Sequence, residues 1–154
     1  MKEQIELFYS AFNNLQAEKM VALYHDDVTF EDPAFGIIRG ERAKNMWRML
    51  CASQKGKEFK VNVSQIKSSN NEATATWEAF YVFSKTGRKI HNTIQAEFKF
   101  KDGKIISHKD SFDLYKWSRQ ALGLKGSLLG WTKFFKKKLQ IQTNGLLSNY
   151  ESKL

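Results

Sequence analysis

From Arg88 to Phe112 apolar side chains recur at every second residue, and the run is interrupted once, by Lys-Asp-Gly-Lys. In "RKIHNTIQAEFKF" one side carries Ile90, Asn92, Ile94, Ala96, Phe98 and Phe100, while His91, Thr93, Gln95, Glu97 and Lys99 take the other. A strand places alternate side chains on opposite faces, so this segment predicts a strand with one greasy face and one wet face. Asp102-Gly103 suits the positive dihedrals of a tight hairpin turn. "KIISHKDSFDLY" therefore returns antiparallel to it, with Ile106, His108, Asp110 and Phe112 on one face or, in the opposite parity, Ile105, Ser107 and Ser111. Two earlier runs, "EFKVNVSQI" and "EATATWEAFYVFS", are joined to the pair through the polar, glycine-bearing "SKTGRK". A four-stranded antiparallel meander is the expected sheet.

The first third of the chain has helical spacing instead. Ile5, Phe8, Phe12 and Leu15 predict a first helix. A short one follows from Ala17 to Tyr24, with Met20 and Leu23 inward and Asp26-Asp27 beyond its end. "ERAKNMWRMLCAS" predicts a third, with Ala43, Trp47 and Leu50 on one face. Between the last two, Val28 to Glu31 alternate as an edge strand that Pro33, lacking an amide hydrogen, brings to a stop. The fold class is therefore α+β: a cone-shaped curved antiparallel sheet with N-terminal helices packed on its concave face, a cystatin-like roll. Residues 1–113 form this domain. Residues 114–154 form a C-terminal helical extension, broken near "GLKG", with Leu128, Trp131, Phe135 and Leu139 at helical spacing, packed on the outside of the same domain or on a second copy.

A chain of 154 residues, 42% of them hydrophobic, asks for one core. Charges within the first six residues and the lack of an apolar run argue against a signal peptide or membrane span, which makes the cytoplasm the expected location. Cys51, the only cysteine, leaves no disulfide or cysteine-based zinc site, and its helical neighbours give no reason for a reactive thiol. From Gly123 onward six lysines face one glutamate, so +5 of the net +9 lies in the extension. A lysine-rich solvated helix face explains this without specific nucleic acid, while an anionic membrane surface or a protein partner is the alternative.

Period two also sorts the polar residues. Val28 and Phe30 point inward together and Asp32 shares their side if the strand persists to Pro33; if it does not, Asp32 shapes the turn. His108 and Asp110 lie roughly 7 Å apart along their strand, between apolar anchors. A buried His and Asp that alter each other's proton affinity suit acid–base chemistry, and they suit a structural hydrogen bond equally. Asn92 is an amide on an apolar face, and a buried amide needs partners. Trp77, Ala79 and Tyr81 alternate on the neighbouring strand and can wall a pocket. No phosphate loop, GxSxG elbow or histidine pair at metal spacing occurs. A pocket with neither cofactor nor metal is the simplest expectation.

"ALYHDDVTFEDP" followed by "RGERAKNMW", with the later "GRKIHNTIQAEFKFKDGKIISHKDSFD", resembles the nuclear transport factor 2-like superfamily, near its ketosteroid isomerase and SnoaL-like polyketide cyclase branches, over about residues 3 to 113. The resemblance implies a general base at Asp32. It does not supply the oxyanion donors of a ketosteroid isomerase, because Phe8 and Ala96 stand at those places and neither donates a hydrogen bond; Tyr9 lies one residue away. Losing one such donor costs about 3 to 4 kcal/mol of transition-state stabilisation, which argues against steroid isomerisation. The cyclases' aspartate before the last helix matches Asp113 in "DLYKWSRQALG". Asp32, His108 and Asp110 are thus the candidate catalytic residues, and Phe8, Tyr9, Trp47, Trp77, Asn92 and Asp113 the candidate ligand contacts. The implied function is a small-molecule pocket, either a cofactor-free isomerase, cyclase or hydrolase acting on an apolar carbonyl or epoxide compound, or a non-catalytic binder of a small hydrophobic molecule. The resemblance also implies a homodimer, for which Thr93, Gln95 and Glu97 offer an outer face.

Overall fold

The computed structural model describes residues 1–154. Helices α1 (Lys2–Asn13) and α2 (Ala17–Val21) precede the hairpin β1 (Tyr24–Asp32) and β2 (Gly36–Arg39), and α3 (Gly40–Gln54) follows. The meander is β3 (Phe59–Ser69), β4 (Glu72–Phe83), β5 (Arg88–Lys101) and β6 (Lys104–Ser111). Helices α4 (Leu114–Leu122), α5 (Leu124–Leu129) and α6 (Lys133–Glu151) complete the chain. The six strands form one sheet in the order β2-β1-β6-β5-β4-β3. The α+β roll and the meander are as expected, and Asp102 and Gly103 take φ of 52° and 75° in the β5–β6 turn.

Four details depart from the sequence reading. Tyr24 opens β1 rather than closing α2, and Asp26 and Asp27 are exposed strand residues. "AFGIIRG", read as a loop, contains β2, whose turn from β1 uses Gly36 at φ 72°. The sheet is not wholly antiparallel: β1 joins the meander by pairing parallel with β6, Phe30 beside His108 and Glu31 beside Lys109. Finally, β6 carries a bulge near Ile105, so that Ile105 is fully buried and Ile106 is not, while His108 and Asp110 keep the inward side.

Helices α1, α2 and α3 fill the concave face. Ile5, Phe8 and Phe12 of α1, Met20 of α2 and Ala43, Met46 and Trp47 of α3 share one core with Val28 and Phe30 of β1 and Trp77, Ile94 and Phe98 of the meander. Trp117 and Ala121 of α4 pack on Ile90, with Phe135 and Leu139 of α6 alongside. Leu128 and Trp131, placed with them by spacing alone, are exposed, because the helix breaks again between Leu129 and Lys133 and the period does not carry across.

The extension packs on the same domain. One side of α6 lies along the Pro33–Gly36 turn and α3, held there mainly by polar groups. Gln140 Nε2 donates to the Pro33 carbonyl at 3.1 Å, Thr143 Oγ1 to that of Ala34 at 2.6 Å, and Asn144 Nδ2 to that of Phe35 at 2.8 Å. Arg42 of α3 pairs with Glu151 and bonds Asn144, and Leu147 joins the main core.

No helix is long and apolar enough to cross a membrane. Cys51 is 2% exposed and burial pushes its thiol up to about 11. The native protein is accordingly expected to resist iodoacetamide at pH 8 and to take up one carbamidomethyl group only on unfolding, read by intact mass.

Candidate active site

The parallel pairing of β1 with β6 assembles the site. Its register runs Thr29 to Ser107, Phe30 to His108 and Glu31 to Lys109; Asp32 and Asp110 are the next residues on the two strands, and both line the same cavity, close enough for the Asp110 charge to act on Asp32. Both carboxyls border a cavity of about 510 Å³ between the concave sheet, α3 and α6. Nineteen of its twenty-eight lining residues are hydrophobic, including Phe12, Phe30, Trp47, Leu50, Phe59 and Phe112. A ligand held there buries mostly apolar surface and meets few polar groups.

Asp32 performs both of the jobs weighed for it. Its Oδ1 accepts the backbone hydrogens of Ala34 at 2.9 Å and Phe35 at 2.6 Å, closing an Asx turn around Pro33. The carboxyl nevertheless lines the cavity, and burial, reinforced by the Asp110 charge and opposed by those two hydrogen bonds, pushes its pKa up to about 7. A carboxyl that holds its proton to that point can act as acid or base near neutrality.

Asp110 is buried and connected differently. His108 Nε2 lies 3.0 Å from Asp110 Oδ1, and Trp77 Nε1 donates to the same oxygen at 3.3 Å. His108 Nδ1 stands 2.7 Å from the Tyr24 hydroxyl, which accepts from Trp47 Nε1 at 2.8 Å. The indole only donates, and Tyr24 has no hydrogen-bond partner besides Trp47 and His108, so the phenol hydrogen goes to Nδ1 and Nε2–H is left to face Asp110. A directed line results, Trp47 to Tyr24 to His108 to Asp110, each member donating to the next. The His108 ring is fully buried, stacked against Trp47 and flanked by Phe98. It does not border the cavity: its place is behind Asp110, as a positioning residue.

Of the expected ligand contacts, Trp47, Trp77 and Asn92 line the cavity. Phe8 and Tyr9 do not; α1 turns them into the core, 0% and 1% exposed, and the Tyr9 hydroxyl finds no partner there. Asp113 is exposed and caps α4, accepting from Lys116 N at 2.9 Å, because β6 ends at Ser111 and no strand aims Asp113 inward. His91 lies on the outer face, 2.8 Å from Glu78 and stacked on Phe80.

Tyr81, expected as a wall from its alternation with Trp77 and Ala79, lines the cavity, and so do groups that spacing did not single out. Tyr81 Oη accepts from Trp117 Nε1 at 2.8 Å, which leaves its own hydrogen free, and burial, helped by the charge of Asp32, raises its pKa. Thr143, Leu146, Asn149, Tyr150 and Lys153 bring α6 and its C-terminal end into the wall. Their spacings of three, three, one and three define one helical side, but a mixed one, so no apolar period marks it.

The SnoaL-like domain family model matches residues 5–108. Among solved structures the chain is similar to an LEH-like epoxide hydrolase of M. tuberculosis at 23% identity, covering 83% of this chain and 89% of that one with a TM-score of 0.62. An NTF2-like protein of unknown function from Burkholderia pseudomallei superposes with a TM-score of 0.67 at 15% identity, covering 79% and 96%. A putative polyketide cyclase from Xanthomonas campestris gives 0.58 at 17%, covering 77% and 93%. At these identities the likenesses establish the fold. No curated protein matches the chain.

Proposed function

The chain belongs to the SnoaL-like domain family, and from that premise we propose that it carries out cofactor-free acid–base chemistry on an apolar carbonyl- or epoxide-bearing molecule held in the cone. The observation that carries this reading is the pair of carboxyls, Asp32 and Asp110, on adjacent strands at the floor of an apolar cavity, one of them half-protonated near neutrality. A buried carboxyl raised to that range suits proton transfer near neutral pH.

In this reading Asp32 is the group that exchanges the proton. The turn holds Oδ1, so Oδ2 is the oxygen offered to the ligand. Ionised, it removes a proton from a carbon next to a carbonyl or from a water attacking an epoxide; protonated, it returns one. Asp110, its Oδ1 held by His108 and Trp77, stands as the neighbouring carboxyl whose charge raises the proton affinity of Asp32. The Tyr81 hydroxyl, its oxygen already taken by Trp117, is the donor available to a carbonyl or epoxide oxygen. It stands in for the donors that Phe8 and Ala96 cannot provide, and it is a single donor, so steroid isomerisation of the ketosteroid isomerase type is not part of the proposal.

The test is turnover of a panel of apolar epoxides, enones and 1,3-dicarbonyl compounds across pH 5 to 9. A rate with an inflection near pH 7 is expected, rising with pH where Asp32 acts as base and falling where it acts as acid. Saturable binding of panel members with no product after long incubation would assign the cavity to storage or sensing and end the catalytic reading.

A further inference from the structure

α5 is packed with its small residues inward. A side-chain carbon at Gly126 would stand 1.9 Å from the Ser118 carbonyl oxygen, and one at Gly130 would stand 1.8 Å from Ser118 Oγ. This close seating on α4 turns the large apolar residues outward: Leu124, Leu128 and Leu129 are exposed, and at the junction with α6 Trp131 is 71% and Phe134 75% exposed. Lys125, Lys133, Lys136, Lys137 and Lys138 surround them, all exposed. No carboxylate occurs between Asp113 and Glu151. The surface thus joins aliphatic, aromatic and cationic groups without a negative charge among them.

We propose that the α5–α6 junction, residues 124–141, seats the protein on an anionic lipid bilayer. Aromatic side chains settle at headgroup level, aliphatic ones reach the acyl boundary, and lysines meet anionic headgroups. A protein interface fits less well, since lysine is depleted where partners meet. Single-stranded nucleic acid would use the two rings for stacking but leaves three leucines without an apolar medium. α6 lies on the surface rather than crossing it. The same helix gives Leu146 and Tyr150 to the cavity wall.

The full chain is mixed with vesicles of phosphatidylcholine, with or without phosphatidylserine, and sedimented. Binding to the serine-containing vesicles only, weakened by salt, is expected. Trp131 should shift its emission to the blue on binding; it is the one tryptophan free to do so, since Trp47, Trp77 and Trp117 are at most 9% exposed. Replacing Lys136, Lys137 and Lys138 by Gln should lower partitioning by about a hundredfold. Trp131→Ser with Phe134→Ser should lower sedimentation with the phosphatidylserine vesicles while circular dichroism stays unchanged, because neither ring is in the core. Failure to sediment with phosphatidylserine, or equal binding to neutral vesicles, overturns the proposal. So does a solution dimer, or oligonucleotide binding, that the serine variants abolish in a protein that ignores vesicles.

Discussion

Asp32→Asn is expected to reduce turnover by about 10²- to 10⁴-fold and, above pH 7, to make the protein more stable than the parent chain. The two effects share one cause. Burial, with the Asp110 charge, holds the Asp32 carboxyl up at about 7, whereas an unfolded aspartate titrates near about 3.9. Between those values the unfolded chain has lost a proton that the folded chain still holds, so stability falls as pH rises from about 4 to 7 and is level beyond. The accumulated loss is on the order of 3 to 4 kcal/mol. Asparagine keeps an Oδ1 for the hydrogens of Ala34 and Phe35 but has no charge to expose to the cavity. Urea unfolding at pH 4 should therefore scarcely distinguish the two proteins, while at pH 8 the variant should gain on the order of 3 kcal/mol. Activity lost through misfolding would move stability the other way. Parallel pH–stability curves for the two proteins would show that Asp32 is an ordinary surface carboxylate.

Which residues share a face of each site strand was readable because period two is a local property. Phe30 with Asp32, and His108 with Asp110, could be grouped from their own strands, while the end of β1 at Pro33 and the opposite parity of β6 left open which group turned inward. Their neighbourhood could not be read. A hairpin announces itself by a turn such as Asp102-Gly103, but β1 and β6 are parallel and joined through the rest of the fold, so no turn marks the pairing that brings Asp32 and Asp110 to one cavity. The bulge near Ile105 shows the limit of parity even within one strand: a strict alternation would have buried Ile106. For α6 the apolar period found Phe135 and Leu139, which pack beside α4, but none of the contacts at the cavity. Gln140, Thr143 and Asn144, which look like a solvated face, are the side chains that satisfy the carbonyls of the Pro33–Phe35 turn. A docking face made of hydrogen bonds leaves no hydrophobic trace in the sequence, and for that reason the helix that walls the cavity was expected outside it.

His108→Phe should be the most destabilising of the site substitutions, at about 3 to 5 kcal/mol, although the ring it introduces fits the same aromatic nest of Phe8, Phe30, Trp47 and Phe98. Phenylalanine neither takes the Tyr24 hydrogen nor donates to Asp110. The phenol hydrogen then has no acceptor and the carboxylate oxygen keeps only Trp77 as donor, both in a buried place, and such losses carry much of the desolvation penalty of the stranded groups. Packing and hydrogen bonding are separated by adding Asp110→Asn. If the charge left behind is what hurts, the second change should recover part of the loss, with a coupling of about 1 to 3 kcal/mol in a double-mutant cycle read from urea midpoints. Tyr24→Phe supplies the other arm: it removes the orphaned hydroxyl but leaves Trp47 Nε1–H without its acceptor, so it should cost less in the His108→Phe background than in the parent chain, by about 1 kcal/mol. Strict additivity in both arms would mean that the line from Trp47 to Asp110 is a row of contacts with no energetic connection. Asp110 would then owe its orientation to Trp77 and the strand alone.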